Sequence, residues 1–257
     1  MFYLRIALAL LAFLVASVYG VAIALFRRDK SRVASDYAHL LARLQQPVLG
    51  IRVALKNRER LHAHRPCIII GNHQSILDVP ILAEAFAPGS VVIAKKELRK
   101  IPFFGWLYVM TGNILIDRKD NRSAVGRLKE VEEAIHTRKV AVWIFPEGTR
   151  GKEAGRLLPF KKGAFHMAVA TGAPLVPVVV APLKPRLDLR ARRLLPTTVE
   201  VRVLEPIPTA GLGDDVVPLM HEARRRMGAA LAEMGAAQGL VPAPEPAAEP
   251  PRVAADQ

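Results

Sequence analysis

The chain contains a single cysteine, Cys67, among its 257 residues. One cysteine cannot form an intramolecular disulfide, and it cannot supply a CxxC metal or redox motif. Aromatic residues make up only 6% of the sequence, and its 23 acidic residues are outnumbered by 37 lysines and arginines. The hydrophobic fraction of 51% excludes a largely disordered chain. The shortage of acidic residues predicts an anionic partner, which is a nucleic acid, an acidic membrane surface or a phosphorylated substrate.

One long hydrophobic run is present, and it lies near the N-terminus. The 21 residues from Ile6 to Phe26 carry no charge, and a helix of that length is about 31 Å long, close to the thickness of a bilayer's hydrocarbon core. The basic residues that follow it are Arg27, Arg28, Lys30 and Arg32. A cleaved signal peptide is the alternative interpretation. The length of the run and its heavier basic flank downstream favour a retained segment in the cell inner membrane, with the following domain on the cytoplasmic side.

Residues 33–48 have the leucine spacing of a second, amphipathic helix, which the sequence predicts to end at Pro47. This helix either packs on the main domain or lies in the lipid headgroup layer beside the first helix. In both cases residues 1–48 form a membrane-associated helical arm.

From residue 49 the chain alternates short apolar runs with helical stretches. This alternation predicts an α/β fold, with a central, mainly parallel sheet flanked by helices. The predicted strands are 51–55 at a sheet edge, 67–70, 91–94, 113–116, 140–145, 175–180 and 198–203. The predicted helices are 122–137, 163–170 and 216–238. The α/β domain is thus expected over 49–239, and the Pro/Ala-rich segment 240–257 is expected to be a disordered tail.

A histidine and an aspartate, His73 and Asp78, follow the buried strand 67–70. Five residues apart, they would lie about 140° from each other around one helix, so they can meet only if His73 lies in the turn before a helix that begins near Asp78. Either Ser75 or Asp78 is the predicted N-cap of that helix. Both frames point the carboxylate back at the imidazole, giving a His–Asp dyad in which the histidine is a general base. The alternative is a capping aspartate beside an ordinary loop histidine.

The usual protein nucleophiles and metal motifs are missing from the sequence. It contains no GxSxG segment and no HExxH segment, and Cys67 lies within an apolar strand. We therefore expect no metal and no cofactor, and a substrate hydroxyl as the attacking group. The few aromatic residues are not interleaved with the basic ones, so we expect no nucleic-acid partner.

Two further segments place arginines at predicted strand ends. Arg118 ends the segment 111–118, and Glu147 and Arg150 lie in the segment 145–150, with Lys161 and Lys162 downstream. Loops at the carboxyl ends of parallel strands converge on one crevice, where arginines can bind phosphate. The alternative is that these acidic and basic residues form surface ion pairs.

Four ordered blocks of the sequence resemble the glycerolipid acyltransferases that carry an HxxxxD motif. The blocks are NHQSILD (Asn72–Asp78), GNILIDR (Gly112–Arg118), FPEGTR (Phe145–Arg150) and VPVVV (Val176–Val180). The segments 94–112 and 157–168 between them are similar to the bacterial 1-acylglycerol-3-phosphate acyltransferases. The resemblance covers residues 65–182 closely and excludes the Pro/Ala-rich tail.

This resemblance implies a membrane enzyme of phospholipid biosynthesis. His73 would deprotonate the free hydroxyl of a lysophosphatidate while Asp78 orients the imidazole. The acyl donor would be a thioester of acyl carrier protein or coenzyme A, and no acyl-enzyme would form. The residues at the family's glycerol-phosphate positions are Lys95, Arg118, Glu147, Gly148 and Arg150. Another lyso-lipid, such as lyso-ornithine lipid or a lysophospholipid, is the alternative acceptor.

Overall fold

The computed structural model describes residues 1–116, 124–151, 153 and 155–240. Arg118 and nearly all of the predicted tail, 241–257, lie outside the described residues. The helices are α1 (Phe2–Phe26), α2 (Val33–Leu49), α3 (Glu59–Ala63), α4 (Asp78–Leu82), α5 (Phe104–Met110), α6 (Ala124–Arg138), α7 (Gly163–Thr171) and α8 (Val217–Ala237). The strands are β1 (Ile51–Lys56), β2 (Cys67–Gly71), β3 (Ser90–Lys95), β4 (Ile114–Ile116), β5 (Ala141–Ile144), β6 (Leu175–Val180), β7 (Leu187–Asp188), β8 (Arg193–Leu194) and β9 (Thr197–Val203).

The predicted mainly parallel sheet is confirmed. Seven strands lie in the order β1-β9-β6-β2-β5-β3-β4, with β1 at an edge as expected. Five of the neighbouring pairs run parallel, and β6 and β9 run antiparallel. Strands β2, β3, β4, β5 and β6 therefore share one direction, and their carboxyl ends meet at one edge of the sheet.

The central strand β2 is buried along its whole length, which explains its unbroken apolar sequence. Ile68 and Ile70 face the core under α6, α7 and α8, whereas Cys67 and Ile69 face the opposite core layer. The lone cysteine is buried, and that burial raises the pKa of its thiol to about 12. Cys67 is therefore a packing residue, as its place in an apolar strand predicted.

Helix α1 confirms the predicted apolar helix, and it packs against α2 and α5 with a face of small residues. These residues are Ala9, Ala12, Ala16, Ser17, Gly20 and Ala24. A Cβ atom on Gly20 would lie 2.6 Å from Cδ2 of Leu107, so glycine leaves room here for the buried Leu107 side chain of α5. Within the described part of the chain, α1 is the one helix long and apolar enough to cross a membrane.

The predicted end of α2 at Pro47 is wrong by two residues. The helix continues to Leu49 and ends at Gly50, whose φ of 70° places it in the left-handed region. Proline here lacks one helical N–H in the last turn, while the Gly50 N–H bonds the carbonyls of Gln46 and Pro47. The helix is therefore terminated by glycine rather than by proline.

Candidate active site

The turn between β2 and α4 brings His73 and Asp78 together. His73 Nδ1 lies 2.7 Å from Asp78 Oδ2, and the Asp78 side chain has no solvent exposure, whereas that of His73 is 18% exposed. An anion buried this completely needs hydrogen-bond donors around it. Because the Asp78 carboxylate is within hydrogen-bond distance of His73 Nδ1, Nε2 is the ring nitrogen that remains available to accept a proton.

Asp78 is also fixed by the backbone of the turn. Its Oδ2 accepts hydrogen bonds from the N–H groups of Gln74 (2.7 Å) and Ser75 (2.9 Å). Neither predicted N-cap is correct, because Leu77 is the N-cap and Asp78 is the first helical residue. The expected direction of the carboxylate is nevertheless found, since Oδ2 points back over the turn to the imidazole. Its Oδ1 is buried and has no hydrogen-bond partner among the described residues.

The His73 ring and backbone contact the segment that follows the neighbouring strand β5. The ring stacks on Phe145, with centroids 4.1 Å apart and planes tilted by 14°. The backbone carbonyl of His73 accepts a hydrogen bond from the Gly151 N–H at 2.8 Å. Both contacts come from the segment that follows β5, so the imidazole is placed against a second loop at the same sheet edge.

Glu147 links that second loop to the first. Its Oε1 accepts the His73 backbone N–H at 2.8 Å, and its Oε2 accepts the Leu158 backbone N–H at 3.0 Å. The residue is 4% exposed. Burial raises the pKa of its carboxyl group, and the two backbone donors partly offset that rise. Each carboxylate oxygen therefore binds a backbone donor within the protein.

Asn72 and Gln74, on either side of His73, attach the turn to the end of β6. Asn72 exchanges two hydrogen bonds with the backbone of Val180, at 2.8 and 3.0 Å. The Gln74 amide donates to the carbonyls of Val180 and Ala181. The VPVVV block thus forms a fully buried strand, and its C-terminal end supports the turn that carries His73.

Basic side chains surround this edge of the sheet. Lys95 ends β3, and Arg150 lies directly before Gly151, and both are exposed. Gly148 adopts a φ of +68°, and a Cβ there would lie 2.9 Å from Cε of Lys161, so glycine leaves room for this lysine. Strand β4 also ends at this edge, and the predicted site residue Arg118 follows it outside the described residues.

Several residues that hold the turn were not predicted from the sequence to have a role in the site. Asn72, Gln74 and Phe145 each lie inside a recognised block, and Gly151 follows one directly. Their position immediately after strand ends was the available signal, since such residues converge at one edge. The backbone N–H groups of Gly151 and Leu158 could not be predicted as donors from the sequence, because any residue other than proline supplies an N–H.

The chain is similar to known acyltransferases over most of its length. A family model described as "Acyltransferase" matches residues 52–181. The 1-acyl-sn-glycerol-3-phosphate acyltransferase of Escherichia coli (strain K12) is 36% identical over 213 residues, covering 83% of this chain and 85% of the relative. The enzyme of that name from Saccharomyces cerevisiae is 35% identical over 240 residues, covering 91% of this chain and 79% of the relative.

A solved structure is also similar. The 1-acyl-sn-glycerophosphate acyltransferase of Thermotoga maritima superposes with a TM-score of 0.73 at 25% sequence identity, covering 92% of this chain and 98% of that one. The resemblance found in the four sequence blocks is therefore confirmed over most of the chain. This chain belongs to the acyltransferase family.

Proposed function

We propose that the protein transfers a fatty acyl group from a thioester to the sn-2 hydroxyl of 1-acylglycerol-3-phosphate, forming phosphatidate. The observation that carries the proposal is the contact between His73 and the buried Asp78 at the sheet edge. The names of the similar enzymes support the acceptor. The thioester donor is acyl carrier protein or coenzyme A, and the product enters phospholipid biosynthesis.

In the proposed reaction, Nε2 of His73 removes the proton of the acceptor hydroxyl. The hydroxyl oxygen attacks the thioester carbon, a C–O bond forms, and the C–S bond breaks as the thiolate leaves. The imidazolium then returns its proton to the thiolate. Asp78 stabilises the positive imidazolium between these steps, and its two backbone donors keep the carboxylate in place.

The placement of Cys67 and Ser75 favours direct acyl transfer to the acceptor hydroxyl, without an acyl-enzyme. Cys67 is buried in β2 with a raised thiol pKa. The Ser75 hydroxyl accepts the Leu77 N–H at 3.3 Å, a contact within its own turn. The acceptor hydroxyl is therefore the nucleophile of the proposal, and no acyl-enzyme is formed.

The acceptor phosphate is proposed to bind Arg118 and Arg150, with Lys95 beside them. Guanidinium groups bind phosphate in a bidentate manner, and Gly148, whose N–H donates to the Phe145 carbonyl at 3.0 Å, shapes the loop that carries Arg150. Glu147 contributes indirectly, because its carboxylate oxygens already bind the backbone of His73 and Leu158. It holds the phosphate-binding loop at a fixed distance from the general base.

The enzyme is proposed to act at the cell inner membrane, with its catalytic domain on the cytoplasmic side. Most of the large side chains of α1 are exposed, although others such as Phe2 and Phe13 pack inward, and polar contacts hold the helix near both of its ends. Arg5 bonds the carbonyls of Val48 and Leu194, and Arg27 pairs with Asp36 of α2. A helix held at both ends against one domain fits insertion into one leaflet rather than a full span.

We expect Arg150→Ala to raise the KM for lysophosphatidate by about 10- to 100-fold while changing kcat little, since one charge-assisted contact to phosphate is lost. Steady-state kinetics in mixed micelles measures this. Arg156→Ala is the matched control, because Arg156 lies in the same segment but pairs with Glu153. Equal KM values for the Arg150 variant and the control would contradict the phosphate assignment. Arg118→Ala is expected to behave as Arg150→Ala does.

The acceptor itself is tested by supplying the purified protein with lysophosphatidate, lyso-ornithine lipid and a lysophospholipid, each with matched carrier-protein and coenzyme A thioesters. We expect phosphatidate to form at least about tenfold faster than the other products, because the arginines recognise a terminal phosphate. Transfer to another lyso-lipid without phosphatidate formation would make that lipid the acceptor. The same series identifies the donor.

A further inference from the structure

A basic hairpin that the proposed reaction does not use follows the strand β6. It consists of β7 and β8, which pair at Leu187–Leu194 and Asp188–Arg193. The segment from 184 to 193 contains five basic residues, Lys184, Arg186, Arg190, Arg192 and Arg193, and one acidic residue, Asp188. Lys184 pairs with Asp188 at 3.5 Å, which leaves a surplus of arginines. Arg190, Arg192 and Arg193 at the tip are all exposed.

The hairpin is seated against the first turn of α1. The Arg192 guanidinium lies 5.5 Å from the ring centroid of Tyr3, in a cation–π contact. Arg5 Nη1 donates to the carbonyl of Leu194 at 2.6 Å. Tyr3 is 65% exposed, at the start of the outward apolar face of α1. The hairpin arginines therefore border the surface on which α1 presents its large apolar side chains.

The basic residues near the two ends of α1 come from different parts of the chain. At its C-terminal end the chain itself continues into Arg27, Arg28 and Lys30. In its first turns, the Arg5 guanidinium is occupied by the carbonyls of Val48 and Leu194, and the hairpin places Arg192 against Tyr3. We propose that the β7–β8 hairpin is a binding surface for anionic phospholipid headgroups and supplies cationic charge beside the N-terminal end of α1.

This surface fits a membrane better than an acidic protein. It is continuous with the exposed apolar face of α1, and Leu195 beside β8 is 45% exposed. Arginines next to lipid-facing apolar side chains match a phosphate layer above hydrocarbon. The inference rests on the membrane attachment proposed above and adds to it a site that selects for negative lipid charge.

Headgroup binding at the hairpin would orient the catalytic turn. Gln74, next to His73, donates to the Ala181 carbonyl at 3.0 Å and accepts the Leu183 N–H at 3.3 Å. The hairpin begins four residues after Leu183, at Leu187, and the Leu187 N–H bonds the Leu183 carbonyl. A hairpin held at the headgroups therefore holds the mouth of the site at the depth where a lyso-lipid presents its hydroxyl.

The test is flotation of the full chain with vesicles at limiting lipid, after removal of detergent. Vesicles contain phosphatidylcholine alone or with about one-third phosphatidylglycerol, and the ratio of the two partition coefficients cancels the apolar contribution of α1. The hairpin variant carries Arg190→Gln, Arg192→Gln and Arg193→Gln. The matched control carries Lys56→Gln, Arg58→Gln and Lys139→Gln, three exposed charges at the opposite edge of the sheet.

We expect the hairpin variant to lose about 10- to 100-fold of the anionic-to-neutral partition ratio, since each arginine near an anionic surface is worth about fivefold. The control variant is expected to keep most of the ratio, and both variants should bind neutral vesicles as the unaltered chain does. Arg190→Gln alone, which should leave folding intact, is expected to lose about fivefold.

Four outcomes would overturn the inference. An equal loss in both triple variants would assign the effect to net charge, and an unchanged ratio in the hairpin variant would remove the site. A normal ratio combined with lost transfer from the carrier-protein thioester, but not from coenzyme A, would make the hairpin a docking surface for an acidic protein. If the unaltered chain binds neutral vesicles but ignores lipid charge, only the hairpin inference fails, whereas no binding to either vesicle refutes the membrane attachment.

Discussion

Replacing His73 by alanine is expected to lower acyl transfer by about 10²- to 10⁴-fold, the range that a positioned general base contributes. The backbone contacts of residue 73 with Glu147 and Gly151 do not depend on the side chain, so the turn should keep its conformation. Asp78 also keeps its two backbone donors, from Gln74 and Ser75. The loss should therefore be one of proton transfer rather than of folding.

The rate of phosphatidate formation, thermal unfolding and vesicle flotation together measure this result. His136→Ala is the matched control, because it removes an exposed histidine from the last turn of α6, at the far edge of the sheet. Added imidazole is expected to restore part of the activity of the His73 variant alone, since the lost ring leaves a space beside Phe145. A rate within tenfold of the unaltered enzyme would refute the assignment of His73 as the base.

Asp78→Asn is expected to lower kcat by about 10²-fold or more and to leave the acceptor KM nearly unchanged. The amide oxygen can take the position of Oδ2 and still accept the N–H groups of Gln74 and Ser75 and the His73 Nδ1 proton. The negative charge that stabilises the imidazolium is lost. The amide NH₂ then occupies the position of Oδ1, which is buried and has no partner among the described residues.

That buried NH₂ should cost about 1–3 kcal/mol of folding stability, which a shift in thermal unfolding reports. Asp215→Asn is the control, since Asp215 also accepts a backbone N–H, from Val217, but lies in a surface turn before α8. Kinetics of both variants separate the loss of charge from the loss of a cap. A residue that only caps α4 would give the Asp78 variant a lower unfolding temperature with a normal kcat.

The dyad could be predicted from the sequence because all its determinants are local. A buried strand, a five-residue spacing and a proline near the helix start leave few ways to arrange His73 and Asp78. The seven sheet strands were likewise found from their short apolar-rich runs, and β2 and β6, which are buried along their whole lengths, have the unbroken apolar sequences that a strand covered on both faces needs. The precise N-cap was not found, because Ser75 and Asp78 are both good capping residues and the backbone selected Leu77.

The contacts that hold the dyad could not be predicted, because they join distant parts of the chain. Glu147 lies 74 residues from His73, and its buried carboxylate binds N–H groups that any sequence would supply. The hairpin lies beside Tyr3 through contacts between residues far apart in the sequence. The Arg5–Leu194 hydrogen bond, for example, joins residues 189 positions apart. Such pairings follow from strand order, which residue patterns alone do not specify.

The buried Glu147 carboxylate couples the turn that carries His73 to the loop after β5. The amide groups of His73 and Leu158 share one acceptor side chain, and the Gly151 amide returns to the His73 carbonyl. None of the three segments can leave its place without exposing a buried charge or a backbone group of another. We therefore expect the turn that carries His73 and the loop after β5 to behave as one cooperative unit in hydrogen exchange, protected together and released together, which would keep the proposed general base in position while the proposed lipid substrates bind and leave.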